Sequence, residues 1–182
     1  MGFTVTPSEI RDVVLIEHDV FPDDRGFMYE LFRDDAMREA LKIDAPFVQD
    51  NCSRSRRNVL RGLHYQIRQP QGKLVHVLSG RIFDVVVDLR RSSATFGRWA
   101  GRHMSAEPRQ SLWVPAGFAH GFLALEDDTT IIYKVTDYWA PQFERAILWN
   151  DPELGIDWPA VAPIVSERDS AGARFRDAEL FD

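Results

Sequence analysis

The chain has little of several things, and each scarcity removes a class of protein. Among its 182 residues Cys52 is the only cysteine, so no intramolecular disulfide forms and a reducing compartment is expected. No apolar run approaches the ~20 residues of a membrane-spanning helix, so no membrane partner is expected. The opening Met1-Gly2-Phe3-Thr4 lacks a charged region followed by an apolar one, so no signal peptide is expected and the reading is cytoplasmic. Excess positive charge is missing as well: the net charge is −6 with no basic stripe, which argues against a nucleic-acid polymer as partner. A local cluster of Arg and Lys can still hold a small phosphate ligand in such a chain. Internal repeats, low-complexity blocks and interdomain linkers are also absent, so residues 1–182 are read as one domain.

What is present is mostly β. Short apolar runs at Val13–Ile16, Val59–Gln66, Lys73–Leu78, Ile82–Leu89, Arg98–Met104, Ser111–Val114, Phe118–Leu125 and Thr129–Val135 alternate with turn residues. Many short strands at this spacing predict a sandwich or barrel, the class that includes jelly rolls. Phe21-Pro22-Asp23-Asp24-Arg25-Gly26 reads as a turn and Phe27–Phe32 as a further strand. Asp34–Leu41 is the one convincing helix, with Asp34 as its N-cap, and Pro46 closes that segment. From about residue 151 onward the chain reads as an irregular C-terminal arm.

Several positions invite chemistry, each with a plainer alternative. Strand alternation across Val59–Gln66 puts Leu60, Gly62 and His64 on one face, Arg61 and Leu63 on the other. His64 is then an imidazole in a cavity beside a site with no side chain, or a satisfied structural histidine. Lys73 opens an apolar strand, either as an edge lysine that discourages aggregation or as a cation near a developing negative charge. Asp84 and Asp88 share a strand face; they are paired if buried, and otherwise face solvent. Tyr133 alternates against Ile132 and Lys134, and either packs or donates a proton into a cavity. Val165–Ser170 reads on its own as a solvated turn. His18, His76 and His103 have no evident partners and are expected to have no catalytic role.

Pro115-x-Gly117-x-x-His120 resembles the second motif of the cupins, whose barrels often bind a metal. The first cupin motif, with its His-x-His, is absent, so the expectation is a cupin-like barrel with no metal site.

Taken in order, the motifs resemble one family, the dTDP-4-dehydrorhamnose 3,5-epimerases. They are Asp24-Arg25-Gly26-x-x-x-Glu30, Gln49-x-Asn51-x-Ser53, Val59-Leu60-Arg61-Gly62-Leu63-His64, Phe83–Asp88, Thr95-Phe96-Gly97, Pro115-x-Gly117-x-x-His120-Gly121-Phe122, Leu148–Pro152 and Asp157-Trp158-Pro159. The resemblance runs from about Val14 to Asp169 and implies an all-β, cupin-like jelly-roll barrel with short flanking helices. It also implies a homodimer, no metal and no organic cofactor, and a dTDP-linked 4-keto-6-deoxyhexose as substrate. By the resemblance, His64 is the base, Asp169 the carboxylate that orients it, Lys73 the stabiliser of the C4 enolate and Tyr133 the proton donor. Arg25, Glu30, Gln49, Asn51, Arg61, His120 and Glu144 match positions that hold the nucleotide and sugar, and Tyr138 is the base-stacking aromatic. Arg168, counted with the substrate-binding positions, stands where many members carry Lys, and Met28 replaces a frequent aromatic. Epimerases of C3 or C5 alone, and 3,4-ketoisomerases acting on related dTDP-ketosugars, remain the alternatives.

Overall fold

A computed structural model describes residues 2–159 and 162–182. Its strands, in chain order, are β1 (Phe3–Pro7), β2 (Val14–His18), β3 (Phe21–Asp23), β4 (Gly26–Met28), β5 (Gln49–Ser55), β6 (Leu60–Gln66) and β7 (Lys73–Ser79). They continue with β8 (Arg81–Asp88), β9 (Trp99–Ser105), β10 (Gln110–Val114), β11 (Phe118–Ala124), β12 (Thr129–Val135) and β13 (Glu144–Ala146). Two helices, α1 (Asp34–Leu41) and α2 (Glu167–Ser170), flank them. No helix among the described residues is long and apolar enough to cross a membrane.

Two antiparallel sheets face each other, ordered β1-β2-β10-β7-β12-β5 and β13-β6-β11-β8-β9, with β3–β4 as a separate hairpin. This is the expected jelly-roll arrangement, although the two sheets are not hydrogen-bonded into a closed barrel. The interior follows from strand periodicity. Val75 and Val77 on β7, Leu112 and Val114 on β10, and Ile131 on β12 meet Ile82 and Val86 on β8 and Phe118 and Phe122 on β11. The other face of β8, with Phe83, Val85, Val87 and Leu89, is buried too, under Leu154, Trp158 and Phe175 of the C-terminal arm. That double burial is why β8 reads as a near-continuous apolar run. The arm is irregular in backbone, yet it covers a sheet face.

Some expectations change here. Lys73 lies on β7, between β10 and β12, so it is not an edge lysine. Asp84 and Asp88 are both buried and paired rather than facing solvent: Asp88 accepts hydrogen bonds from Arg90, Ser93 and Thr95. Residues 29–33 leave the strand expected over Phe27–Phe32, because Tyr29 is drawn onto the outer face of the first sheet. There Tyr29 Oη meets His76 Nε2 at 2.8 Å, while Ser111 Oγ lies 3.1 Å from His76 Nδ1 and 2.8 Å from His18 Nε2. His18 and His76 therefore do have partners, and together they seat the hairpin. Asp34 is the first helical residue of α1 rather than its N-cap, which is Arg33, and it instead bonds Arg38 one turn on. Val165–Ser170 is not a solvated turn but includes α2, started by Ser166, whose Oγ accepts from the Asp169 N–H.

The largest departure from simple alternation is in β6. Leu60 and Arg61 pair with Leu123 and Phe122, but His64 pairs with His120, so Gly62 and Leu63 together oppose the single residue Gly121. One extra residue in a period-two strand reverses the faces beyond it. Arg61 and His64 consequently line the same cavity, whereas alternation had set Arg61 on the face opposite His64. The bulge needs glycine on both strands. Gly62 has φ of +129°, and a Cβ there would lie 2.4 Å from Gly121 Cα and 2.9 Å from the His120 carbonyl oxygen. Gly62→Ala is expected to lower unfolding stability by at least ~2 kcal/mol in urea titration, the scale of overpacking with backbone strain. An unchanged midpoint would contradict this account of the bulge.

Candidate active site

Between the sheets and the C-terminal arm lies a cleft of two adjoining lobes, about 520 Å³ and 320 Å³, which share His64, Lys73, Tyr133 and Glu144. Arg61, His120, Arg168 and Asp169 line the larger lobe; Gln49, Asn51 and Trp139 line the smaller. A cavity of about 610 Å³ lies elsewhere, against α1 and Trp113, but it holds no imidazole and its Asp12 and Arg90 neutralise each other. The chemistry, not the volume, picks out the two-lobed cleft.

The bulge turns His64 into the larger lobe, and α2 brings Asp169 up behind it. His64 Nε2 is 2.6 Å from Asp169 Oδ1, and Asp169 Oδ2 accepts the Gly62 N–H at 3.2 Å. Burial alone would raise the Asp169 carboxyl, but the hydrogen bonds from His64, Gly62 and Ser166 outweigh it and hold the group below the usual carboxylate range. An ionised partner at Nε2 assigns the ring proton to that nitrogen and leaves the Nδ1 lone pair available as a base.

Lys73 and Tyr133 come from the facing sheet, on neighbouring strands β7 and β12. Lys73 is only 8% exposed and its Nζ donates to the His64 carbonyl oxygen at 3.1 Å. Burial lowers the Lys73 ammonium to about 8, with Glu144 and Asp84 pulling the other way, so the group is charged at neutral pH. Tyr133 is raised, first by burial and then by Glu144, which keeps its hydroxyl protonated. An imidazole thus enters the cleft from one sheet, and an ammonium and a protonated phenol enter from the other.

His120 sits beside His64 on the adjacent strand, with Nε2 2.8 Å from Asp84 Oδ2. Asp84 was not among the sequence-derived site residues. Its signal was the β8 face it shares with Asp88, but only the β8–β11 pairing shows that His120 lies within reach. Trp139 was also missed: it lines the smaller lobe, while Tyr138, the aromatic expected there, is 62% exposed and lines neither lobe. Gln49 ties that lobe together, its Nε2 donating to Asn51 Oδ1 and its Oε1 accepting the Trp139 N–H. Arg61 Nε donates to Ser55 Oγ at 3.1 Å. Glu144 and Arg168 form an ion pair of 2.5 Å at the junction of the lobes. Arg25 and Glu30 are not brought to the cleft; Arg25 is 88% exposed on the β3–β4 turn and pairs with Asp23. No group of three or more His, Cys, Asp or Glu able to hold a metal ion occurs among the described residues.

A hydrogen activated by a neighbouring ketone could be removed and returned in such a cleft, and relatives of the chain carry names that fit. The family model described as dTDP-4-dehydrorhamnose 3,5-epimerase matches residues 7–177. A Pseudomonas aeruginosa protein of that name is 57% identical over 173 residues, covering 94% of this chain and 96% of the relative. The crystal structure of a Legionella pneumophila dTDP-6-deoxy-D-glucose-3,5-epimerase in complex with dTDP-4-keto-L-rhamnose superposes with a TM-score of 0.95 at 44% identity, over 98% of this chain and 95% of that one. ChmJ, a 3'-monoepimerase from Streptomyces bikiniensis in complex with dTDP-quinovose, gives 0.87 at 37% identity over 93% of this chain and 87% of its own. A match across nearly the whole length, with close identity and the same fold, settles the assignment: the chain belongs to the dTDP-4-dehydrorhamnose 3,5-epimerase family.

Proposed function

We propose that this chain is the isomerase that converts dTDP-4-dehydro-6-deoxy-D-glucose to dTDP-4-dehydro-L-rhamnose by inverting C3 and C5, a step of dTDP-L-rhamnose biosynthesis. The observation that carries the reading is His64 on one sheet, backed by Asp169 of α2, facing Lys73 and Tyr133 on the other sheet around one cleft. Both carbons flank the C4 ketone. His64 Nδ1 takes the hydrogen as a proton, the electron pair moves onto the C4 oxygen, and the Lys73 ammonium stabilises the enolate. Tyr133 then returns a proton to the other face of the same carbon, which inverts it. Asp169 holds the His64 ring and supports the imidazolium. Every electron moved stays within the sugar, so these four side chains suffice and no cofactor is invoked.

The two lobes divide the ligand. The hexose fits the larger lobe with His64, Lys73 and Tyr133. The nucleoside fits the smaller one, with Gln49 and Asn51 on the base edge and Trp139 as the stacking aromatic in place of Tyr138. Arg61 and Arg168 suit the diphosphate between them. Arg25, on a hairpin that exposes Phe21, Phe27 and Met28, and Glu30 just after it reach the cleft of a second copy in a homodimer.

Three measurements test these assignments. Incubation with dTDP-4-dehydro-6-deoxy-D-glucose in D₂O, followed by NMR, is expected to place deuterium at both C3 and C5, and His64→Ala to abolish it. The rate should fall as pH rises through about 8, because Lys73 stabilises the enolate only while protonated. Exchange at one carbon alone would make this a monoepimerase, as the similarity to ChmJ allows, and no exchange would contradict the reading. For the homodimer, mixing inactive His64→Ala with impaired Arg25→Ala is expected to restore activity, since one mixed site has both residues. No restoration would contradict the shared site.

A further inference from the structure

The hairpin β3–β4 is a sheet of its own, with no strand ladder to either main sheet among the described residues. Side chains hold it instead, in two places. The Arg109 guanidinium sits 4.3 Å from the centre of the Phe27 ring. Two residues on, Tyr29 Oη starts a hydrogen-bonded chain that passes through His76 and Ser111 to His18. Those three are buried and come from the adjacent strands β7, β10 and β2, and the Glu30 backbone lies beside the His18 ring. Burial lowers His76 to about 4 and lowers His18 as well, so both rings are neutral at neutral pH, while burial raises the Tyr29 hydroxyl and keeps its proton. A neutral imidazole has one donor and one acceptor nitrogen. Two such rings and two hydroxyls therefore match donor to acceptor at all three contacts of the chain.

An apolar seat would also bury part of the hairpin, but apolar contact is non-directional and leaves its angle loose. Hydrogen bonds in series fix an angle, because each has its own preferred geometry and each ring is held from both sides. The angle they fix here points the turn away from the cleft of its own chain: Arg25 is exposed at the tip, and neither Arg25 nor Glu30 lines either lobe. The reaction at His64, Lys73 and Tyr133 uses none of the four residues. We propose that Tyr29, His76, Ser111 and His18 are positioning residues for the neighbouring subunit: their chain sets the angle at which the hairpin presents Arg25 and Glu30 to the cleft of a second copy. The inference rests on the homodimer reading above. In a two-fold dimer each subunit then gives one hairpin and receives one, so a lesion in the chain is felt in the opposite cleft.

Tyr29→Phe tests this, since it keeps the ring and removes the hydroxyl that starts the chain. It is expected to raise the KM for dTDP-4-dehydro-6-deoxy-D-glucose about fivefold, the scale of one hydrogen bond, with kcat near the wild-type value. Ser111→Ala, which cuts the chain between the two rings without touching the hairpin, should do the same. At substrate well below KM, excess His64→Ala should restore the rate per Tyr29→Phe subunit, because a mixed dimer serves its one competent cleft with an intact hairpin. Unchanged KM in both variants, or a fall in kcat alone, would overturn the inference. So would a raised KM that His64→Ala leaves unrestored while it does restore Arg25→Ala, since the chain would then act only within its own subunit. A wild-type protein that is monomeric in native mass spectrometry would instead overturn the shared cleft, and this inference with it.

Discussion

The site depends on one residue too many in a single strand. With strict alternation, β6 would turn Arg61 and His64 to opposite faces, and one of the two would be lost to the apolar packing under the C-terminal arm. Because Gly62 and Leu63 share one opposing residue, both side chains reach the cleft, while Leu60, Leu63 and Tyr65 remain in the packing under the arm. The same bulge leaves the Gly62 N–H free of the ladder and directs it to Asp169 Oδ2. A backbone irregularity thus fixes the candidate base His64, the candidate phosphate ligand Arg61 and the Asp169 carboxylate together.

Around that bulge the cleft gathers charges that would be costly apart. Asp169, Asp84 and Glu144 each have a cationic or imidazole partner, and Lys73 is buried among them with a single backbone acceptor in reach. Such pairs add little to stability compared with apolar packing of equal volume. Their effect here is to hold Asp169 ionised beside the His64 ring, Lys73 charged at neutral pH and the Tyr133 hydroxyl protonated before any ligand arrives. Electrostatic preorganisation of this kind is what a proton-abstraction reaction draws on, since the negative charge on the C4 oxygen develops only in the transition state. The C-terminal arm matters for the same reason. It supplies Asp169 and Arg168 and shields the far side of β6 and β8 from water.

Much of this was legible in the sequence, and the limits were physical. Period-two patterning located β6 to β8 and β10 to β12 closely, and alternation put Asp84 and Asp88 on one face of β8 and Tyr133 opposite Ile132 and Lys134. Alternation failed at Gly62 because a bulge depends on the partner strand, here on Gly121, as well as on the glycine within β6. It could not pair Asp84 with His120, or His76 with Tyr29, because those contacts join strands and loops far apart in sequence. The short α2 was invisible because four residues carry no periodicity; its only local sign was Ser166 three residues before Asp169. The motif resemblance nominated Asp169 where pattern reading offered only a solvated turn. Trp139 and Tyr138 are adjacent aromatics, and only the fold decides which of them lines the lobe.

In the proposed mechanism, removal and return of the hydrogen are performed by different residues from opposite walls of the cleft. Tyr133→Phe incubated with substrate in D₂O separates the two steps, because the phenylalanine fills the same space without an acidic proton. The expected result is deuterium at C3 or C5 with the original configuration retained, since His64 can still remove the hydrogen and return deuterium from its own side. Inversion at an undiminished rate would show that the proton comes from elsewhere and would contradict the assignment of Tyr133.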